Sequence, residues 1–561
     1  MIRALSNAFT IVILAVILFA PTVWGQDDEA GQADQIRIDV ETLPDRTAES
    51  SPLANFVVNN NADATDVMPG DGICETAAGN GVCTLRAAVA EANALAGADV
   101  ITFAPAITLI QVMGQISITS EMTINGNDLS SPTIQNIAAV GTTSRVFNIT
   151  NFIVNLNRLT ITGGNVTGNG GGIQNTGTLT ITNCVIEGNN ANGAAGTGGG
   201  VRSTNTLTIM NSTISGNASV GSTSGGLSFA GANLTIANST IFGNTSFGNG
   251  GGMNISATAS VTISNSTISN NTAGASSGGL FLNRGTLTNT TISGNRANGA
   301  LATEGGGGVR IQAGVNTVAF VSCTITGNSA PNTTAGSRSG VWHETGTLNI
   351  SNSIVAANSA QDIQRDGTGV ITSGGFNLIG ENTSVTTEFP DGLPNGTNYV
   401  GTDAMPLNPM LGPLTYNGGR TSTHALLAGS VAIDKGNSAG SMADQRGYVR
   451  PIDIAGIPNA PGGDGADIGA FEFQSMPAVV VSVGGRVTAG GIGVPKAIVV
   501  LTDAGGNSRI AVSGSFGYYR FGSVAANETY TITAFRKGYL FAQRTISPTD
   551  NLTDLDFIAI P

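Results

Sequence analysis

Apolar and polar residues alternate along this chain in short bursts, and the bursts recur. In Thr206 to Asn217, Leu207 and Ile209 alternate with Thr206, Thr208 and Met210, the period of a strand with one buried face. At Asn211 the parity flips, so that Ser212 and Ile214 share a face while Thr213 and Ser215 point away. A flip at Asn predicts a tight bend, because Asn tolerates the left-handed conformation such a bend needs. The same place holds Asn183, Asn238, Asn265, Asn289 and Asn352, with Ser322 the one departure. These asparagines are expected to form a structural ladder. Gly216-Asn217 predicts a second bend, and a glycine-rich stretch leads into a third strand.

The segment is rewritten along the chain. Its versions end at Asn189, Asn217, Asn244, Asn271, Asn295, Asn328 and Asn358, spaced 28, 27, 27, 24, 33 and 30 residues apart. Glycine followed by an apolar residue recurs in step, as at Gly200-Val201, Gly226-Leu227 and Gly252-Met253. Such a period means stacked units that bury their apolar faces only against neighbours. Three short strands and three bends per unit describe a coil of a parallel β-helix. Leucine-rich repeats need a leucine pattern that is missing here, and propeller blades need units of roughly 40 to 50 residues. The fold class expected is therefore all-β: a right-handed parallel β-helix with an N-terminal cap helix, then a small antiparallel β-sandwich. The hand follows the general rule for parallel crossovers and the resemblance to the pectate-lyase-like superfamily that this repeat carries. At one strand spacing per coil the rod is roughly 40–50 Å long.

Composition narrows the partners. The 561 residues carry 23 basic and 36 acidic side chains, net charge −13, with only three lysines. That balance argues against binding to nucleic acid or to an anionic membrane. Residues 1–25 read as a secretory signal, with Arg3, an apolar run from Ile11 to Ala20, and small residues at the expected cleavage point. No membrane span is expected after its cleavage, and the mature chain is expected to be secreted or held at a bacterial cell surface. Residues 26–54 read as an acidic disordered linker. The remaining divisions are a cap with the first coils at 55–130, the repeats at 131–367, the end of the β-helix at 368–475 and the sandwich at 476–561.

An export signal makes a disulfide between Cys74 and Cys83 the expected pairing. Cys184 and Cys323 fall at equivalent positions five coils apart, about 24 Å, and are expected to be buried, inert thiols. Thr84 predicts a helix cap, with Leu85, Ala88, Val89, Ala92 and Leu95 at helical spacing and Gly97 as the stop. Cys83-Thr84-Leu85-Arg86-Ala87-Ala88-Val89, preceded by Asp71-Gly72-Ile73-Cys74 and followed by Gly97-Ala98-Asp99, resembles the CSLREA domain. That domain heads secreted bacterial β-helix proteins, and its Glu is replaced here by Ala87. Asp63, Asp66 and Asp71 form an acidic loop and are the candidates for bound Ca2+. From Asn408 to Leu414, and through Ala432-Ile433-Asp434-Lys435-Gly436 to Asp467-Ile468-Gly469-Ala470-Phe471-Glu472, the chain resembles the choice-of-anchor Q region. Gly484-Gly485-Arg486-Val487 and Ser515-Phe516-Gly517-Tyr518-Tyr519-Arg520-Phe521 resemble the carboxypeptidase regulatory-like domain. Tyr518, Tyr519 and Phe521 offer either a sugar-stacking surface or core.

Relatives with this fold cleave acidic polysaccharides with clustered carboxylates, or with calcium and a basic residue. Between Asp128 and Asp362 this chain has no Asp and no Lys, and its acids there are Glu187, Glu304 and Glu344. His343 beside Glu344 is expected to face the opposite side, and Arg202, Arg284, Arg296 and Arg310 are scattered along the chain. His424, Asp434, Asp444, Asp464 and Asp467 are a loose cluster without compact ligand spacing. No catalytic, cofactor-binding or metal residue is assigned. The function expected is that of a non-catalytic, adhesin-like surface protein, not an enzyme, which binds a polysaccharide, cell-surface or matrix component. The alternatives are a polysaccharide lyase or glycoside hydrolase, and carbohydrate binding through the C-terminal sandwich.

Overall fold

The computed structural model describes residues 53–127, 131–138, 143–256, 260–301, 303–331, 338–474, 480–503, 506–526 and 528–560. The signal-like segment 1–25 and all but the end of the acidic stretch 26–54 lie outside the described residues.

A parallel β-helix of about ten coils occupies most of the described chain. One coil contains Val201–Ser203, Leu207–Met210, Thr213–Ser215 and Ala218–Ser219. That is four short strands rather than three, because a two-residue strand follows the Gly216-Asn217 bend before the glycine-rich turn. In the coils built this way the first two strands belong to one large sheet, the third to a second sheet and the two-residue strand to a third, six-stranded one. In Val309–Val321 and Arg338–Ser351 the first two strands run together as one. Stacking is in register: Leu207 lies between Leu179 and Leu234, Ile209 between Ile181 and Ile236, and Ile214 between Ile186 and Ile241. All of these side chains are buried, each worth about 1.5–3 kcal/mol against exposure.

The parity flip is a left-handed residue. Asn183, Asn211, Asn238, Asn265, Asn289 and Asn352 have φ between 46° and 54°, and Ser322 has 52°. Their side chains do not form the longest ladder. That ladder belongs to the buried asparagines at the next bend. Asn189, Asn217, Asn244, Asn271, Asn295 and Asn328 each donate a backbone N–H and an Nδ2–H to the Oδ1 of the following member, at 2.9–3.0 Å. The last, Asn358, donates both groups to Asp362 Oδ1. Glycines beside the ladder have no room for a side chain: a Cβ on Gly252 would lie 2.6 Å from the carbonyl oxygen of Gly279.

The N-terminal end is covered by the helix Leu85–Ala94, capped by Thr84, whose hydroxyl accepts from Ala87 N at 3.1 Å. Glu91, buried on this helix, accepts from the N–H groups of Gly70 and Gly72. Cys74 and Cys83 are joined as a disulfide, and Cys184 and Cys323 are buried free thiols. Among the described residues no helix is long and apolar enough to cross a membrane.

Coils continue through Val370–Ser373 and Leu378–Ile379 to Asn398–Val400. The chain then folds back as a strap, residues 402–474, over the outward side of the second sheet. Thr267 Oγ1 donates to Ser422 O at 2.6 Å, Thr291 Oγ1 to Gln445 Oε1 at 2.6 Å, and Ala470 N to Thr324 Oγ1 at 3.0 Å. Thr267, Thr291 and Thr324 are therefore buried, whereas the equivalent Thr213 and Thr240 are half-exposed. On these later coils the hydroxyl row is a docking surface for the chain's own strap. Residues 480–560 form two four-stranded sheets around a core of their own that includes Val483, Val499, Leu501, Phe521, Ile532 and Phe557.

Candidate functional site

From Phe147–Ile149 to Leu280–Leu282 the short first strand of each coil has three residues, of which the outer two face the interior, and the longer strands Val309–Val321, Arg338–Ser351 and Gln361–Arg365 continue the same register. The middle side chain therefore stands outward. Register aligns these middle positions in one row along the first sheet: Asn148, Gln174, Arg202, Ser228, Asn254, Phe281, Arg310, Trp342 and Gln364. Arg202 and Arg310, which look scattered in sequence, lie on the same row.

The far end of the row is a stack of rings and guanidinium groups. Arg310 Cζ lies 5.9 Å from the Phe281 ring centre and 4.2 Å from that of Trp342, and Arg338 Cζ lies 4.4 Å from the Trp342 ring. Such contacts seat both cations over the indole and leave Trp342 only 3% exposed beneath them. Glu344, two residues beyond Trp342 and therefore also outward, pairs with Arg310. Asp366 receives Arg338 Nη2 at 2.7 Å, the Trp342 indole N–H at 2.9 Å and Gln364 Nε2 at 2.6 Å. Burial pushes the Asp366 carboxyl up, but those three donors and the Arg338 charge outweigh it and hold the group below the usual carboxylate range. At the near end, Arg145 donates to Gln115 Oε1 and Asn169 O, and Arg202 to Ser203 O. Among the described residues no carboxylate pairs with either arginine. Burial lowers both pKa values. Guanidinium groups, rings and amides spaced one per coil suit a repetitive ligand rich in hydroxyl and anionic groups.

The other candidates are placed elsewhere. Asp63 makes a two-pronged pair with Arg86 at 2.7 and 3.0 Å, Asp66 accepts from Met68 N and Glu75 N, and Asp71 accepts from Ile73 N. The three acids close separate turns of the cap and are not gathered. Among the described residues no three His, Cys, Asp or Glu side chains converge as a metal site. His343 faces the interior and is fully buried, which lowers its pKa. His424 bonds Ser293 Oγ and Gly412 O within the strap contact. Asp434, Asp444, Asp464 and Asp467 accept strap N–H groups, and Asp444 also pairs with Arg446. Glu187 stands at the edge of the second sheet, and Glu304 closes a turn by accepting from Leu301 N. In the sandwich Tyr519 and Phe521 are core, while Tyr518 is 63% exposed with the Arg486 guanidinium 5.4 Å from its ring. Sequence reasoning missed Trp342, Arg338, Asp366 and Phe281. Their signal was the outward parity at equivalent coil positions, which marks a shared face once coils are aligned.

These features define the protein as a parallel β-helix whose first sheet carries an outward row of guanidinium, ring and amide side chains, and comparison supplies its hand. A family model described as a right handed beta helix region matches residues 110–314. Among solved structures, the crystal structure of pectate lyase Pel9A is similar at 14% identity over 76% of this chain and 98% of that chain, with a TM-score of 0.37. Comparison with curated proteins finds none that matches.

The expectation that the chain is not an enzyme is corrected. The family model that matches describes a fold, and a fold excludes no activity. The ground for excluding one also fails in the structure. Acids were counted along the sequence, whereas stacking brings Glu344 and Asp366 together with Arg310 and Arg338 on one outward flank.

Proposed function

We propose that this is a polysaccharide-directed β-helix protein whose sugar chain lies along the outward row of the first sheet. The observation that carries the reading is the in-register row from Gln174 through Arg202 to Arg310, Trp342 and Gln364. Arg145 and Arg202, without carboxylate partners in a chain of net charge −13, favour a polymer that carries anionic groups. A second reading, bond cleavage as a polysaccharide lyase or glycoside hydrolase, is favoured by the gathering of Glu344 and Asp366 with two guanidinium groups at one end of the row. Export to the cell exterior belongs to the proposal, supported by the signal-like segment 1–25 and by the Cys74–Cys83 bridge, which suits an oxidising compartment.

The test is a panel of neutral and acidic polysaccharides, scored for retention of the protein and for new reducing or unsaturated ends. The expected result is retention on an acidic polymer, weakened about tenfold, or about 1.4 kcal/mol, by Arg202→Ala. New unsaturated ends would assign a lyase and new reducing ends alone a hydrolase. Absence of retention and of cleavage across the panel would overturn the proposal.

A further inference from the structure

The C-terminal sandwich carries an outward apolar face that its own core does not use. In the sheet built from Ser508–Val512, Ile498–Asp503, Tyr530–Phe535 and Arg544–Ile546, register places Phe535, Ile498 and Val512 in one outward row and Thr533, Val500 and Ile510 in the next. The inward partners Val499, Leu501, Ile532 and Ala534 already fill the core. An antiparallel sheet with one solvated face normally shows water a polar side, so this apolar side is unaccounted for by folding. Leu540, 71% exposed, bridges to Ile560, 52% exposed, and extends the patch beyond the strand ends.

The net charge of −13 argues against an anionic membrane for the chain as a whole, but the local charge at this patch is the opposite and says what it fits. Lys496, Arg536 and Lys537 line the same depression as Ile498, Phe535 and Leu540, a space of about 430 Å³. Two of the chain's three lysines are therefore in this one place. Among the described residues no carboxylate pairs with any of the three cations. The acids of the same sheet, Asp503 and Glu528, sit at the opposite end of the strands. Exposed apolar side chains set beside cations without carboxylate partners match a surface with phosphate outside and hydrocarbon within. A second copy of this face, laid cation to cation, would meet repulsion instead.

We infer that this face docks the chain on an anionic lipid surface, with Ile498, Phe535 and Leu540 entering the boundary between headgroups and acyl chains and Lys496, Arg536 and Lys537 taking the lipid phosphates. It is independent of the polysaccharide row.

Vesicle co-sedimentation of the full chain tests it, with phosphatidylcholine alone and with phosphatidylcholine mixed with phosphatidylglycerol. Wild type and variants share the same N terminus, so any contribution from residues 1–25 cancels. The expected result is binding only to the mixed vesicles, weakened several-fold when salt rises from about 0.1 M to about 0.5 M. Leu540→Asp and the double variant Lys496→Glu/Lys537→Glu should each bind at least about tenfold more weakly with unchanged thermal unfolding. Equal sedimentation of wild type and both variants would overturn the inference. So would self-association of wild type, abolished by Leu540→Asp, without vesicle binding.

Discussion

Asn211 has φ of 52°, a conformation that a β-branched residue adopts only with strain and glycine adopts freely. Asn211→Gly should therefore leave stability within about 0.5 kcal/mol of wild type, whereas Asn211→Val should cost about 1–3 kcal/mol; urea unfolding of both variants measures the difference. The buried ladder answers to different chemistry. Asn244 Oδ1 accepts two N–H groups from Asn217, and its Nδ2 donates to Ile214 O and Asn271 Oδ1. Asn244→Ala leaves those buried groups without partners and should cost about 2–4 kcal/mol, more than an equal truncation at the half-exposed Asn211. Both classes of asparagine were visible in the sequence, yet they could not be ranked there. The outer set announces itself by the parity flip. The inner set looks like ordinary turn residues until coils are stacked and each amide meets the next.

At the scale of elements, local pattern and long-range contact part company. The strand around Leu207 and Ile209, the Asn bend and the Thr84-capped helix are written in neighbouring residues, so period and parity placed them. The strap was not legible, because its contacts span most of the repeat: Gln445 Nε2 donates to Thr267 Oγ1, 178 residues away. Its acids read as loose turn formers for the same reason. Arg450 and Glu472, both fully buried, pair at 2.8 Å in the strap. Arg450→Ala strands Glu472 and should cost about 3–5 kcal/mol, seen as earlier loss of the strap in limited proteolysis.

The ladder's end supplies a pH signature. Burial raises Asp362 to about 7, against the downward pull of the Asn358 donors. A folded pKa above the unfolded one gives stability that is complete below about 4 and is lost as pH climbs through about 7. Asp362→Asn carries no such proton. Relative to wild type, the variant should be least stable near pH 4 and should close the gap by pH 8; thermal melts across that range read it. A gap that does not change with pH would contradict the assignment. His343 and His424, lowered by burial, act in the opposite sense, weakening the fold as pH falls below about 6.5.

For the whole molecule, the repeat converts sequence distance into position on a face. Phe281, Arg310, Trp342 and Gln364 span more than eighty residues of chain and sit one coil apart. Counting acids and bases along the chain therefore understated what one flank can gather, which is why a non-enzymatic chain was expected and why that expectation failed. The fold itself was legible, since stacking follows from period alone; the chemistry of the row was not, since it depends on which coil contributes which outward side chain.

A sugar polymer bound as proposed lies along that row. Hydrogen–deuterium exchange with and without the polysaccharide that the protein retains tests this directly. Protection is predicted at residues 201–203, 309–311, 341–344 and 363–366, with the second sheet and the sandwich unchanged. Protection confined to the second sheet or the sandwich, with the row exchanging as in the free protein, would contradict it.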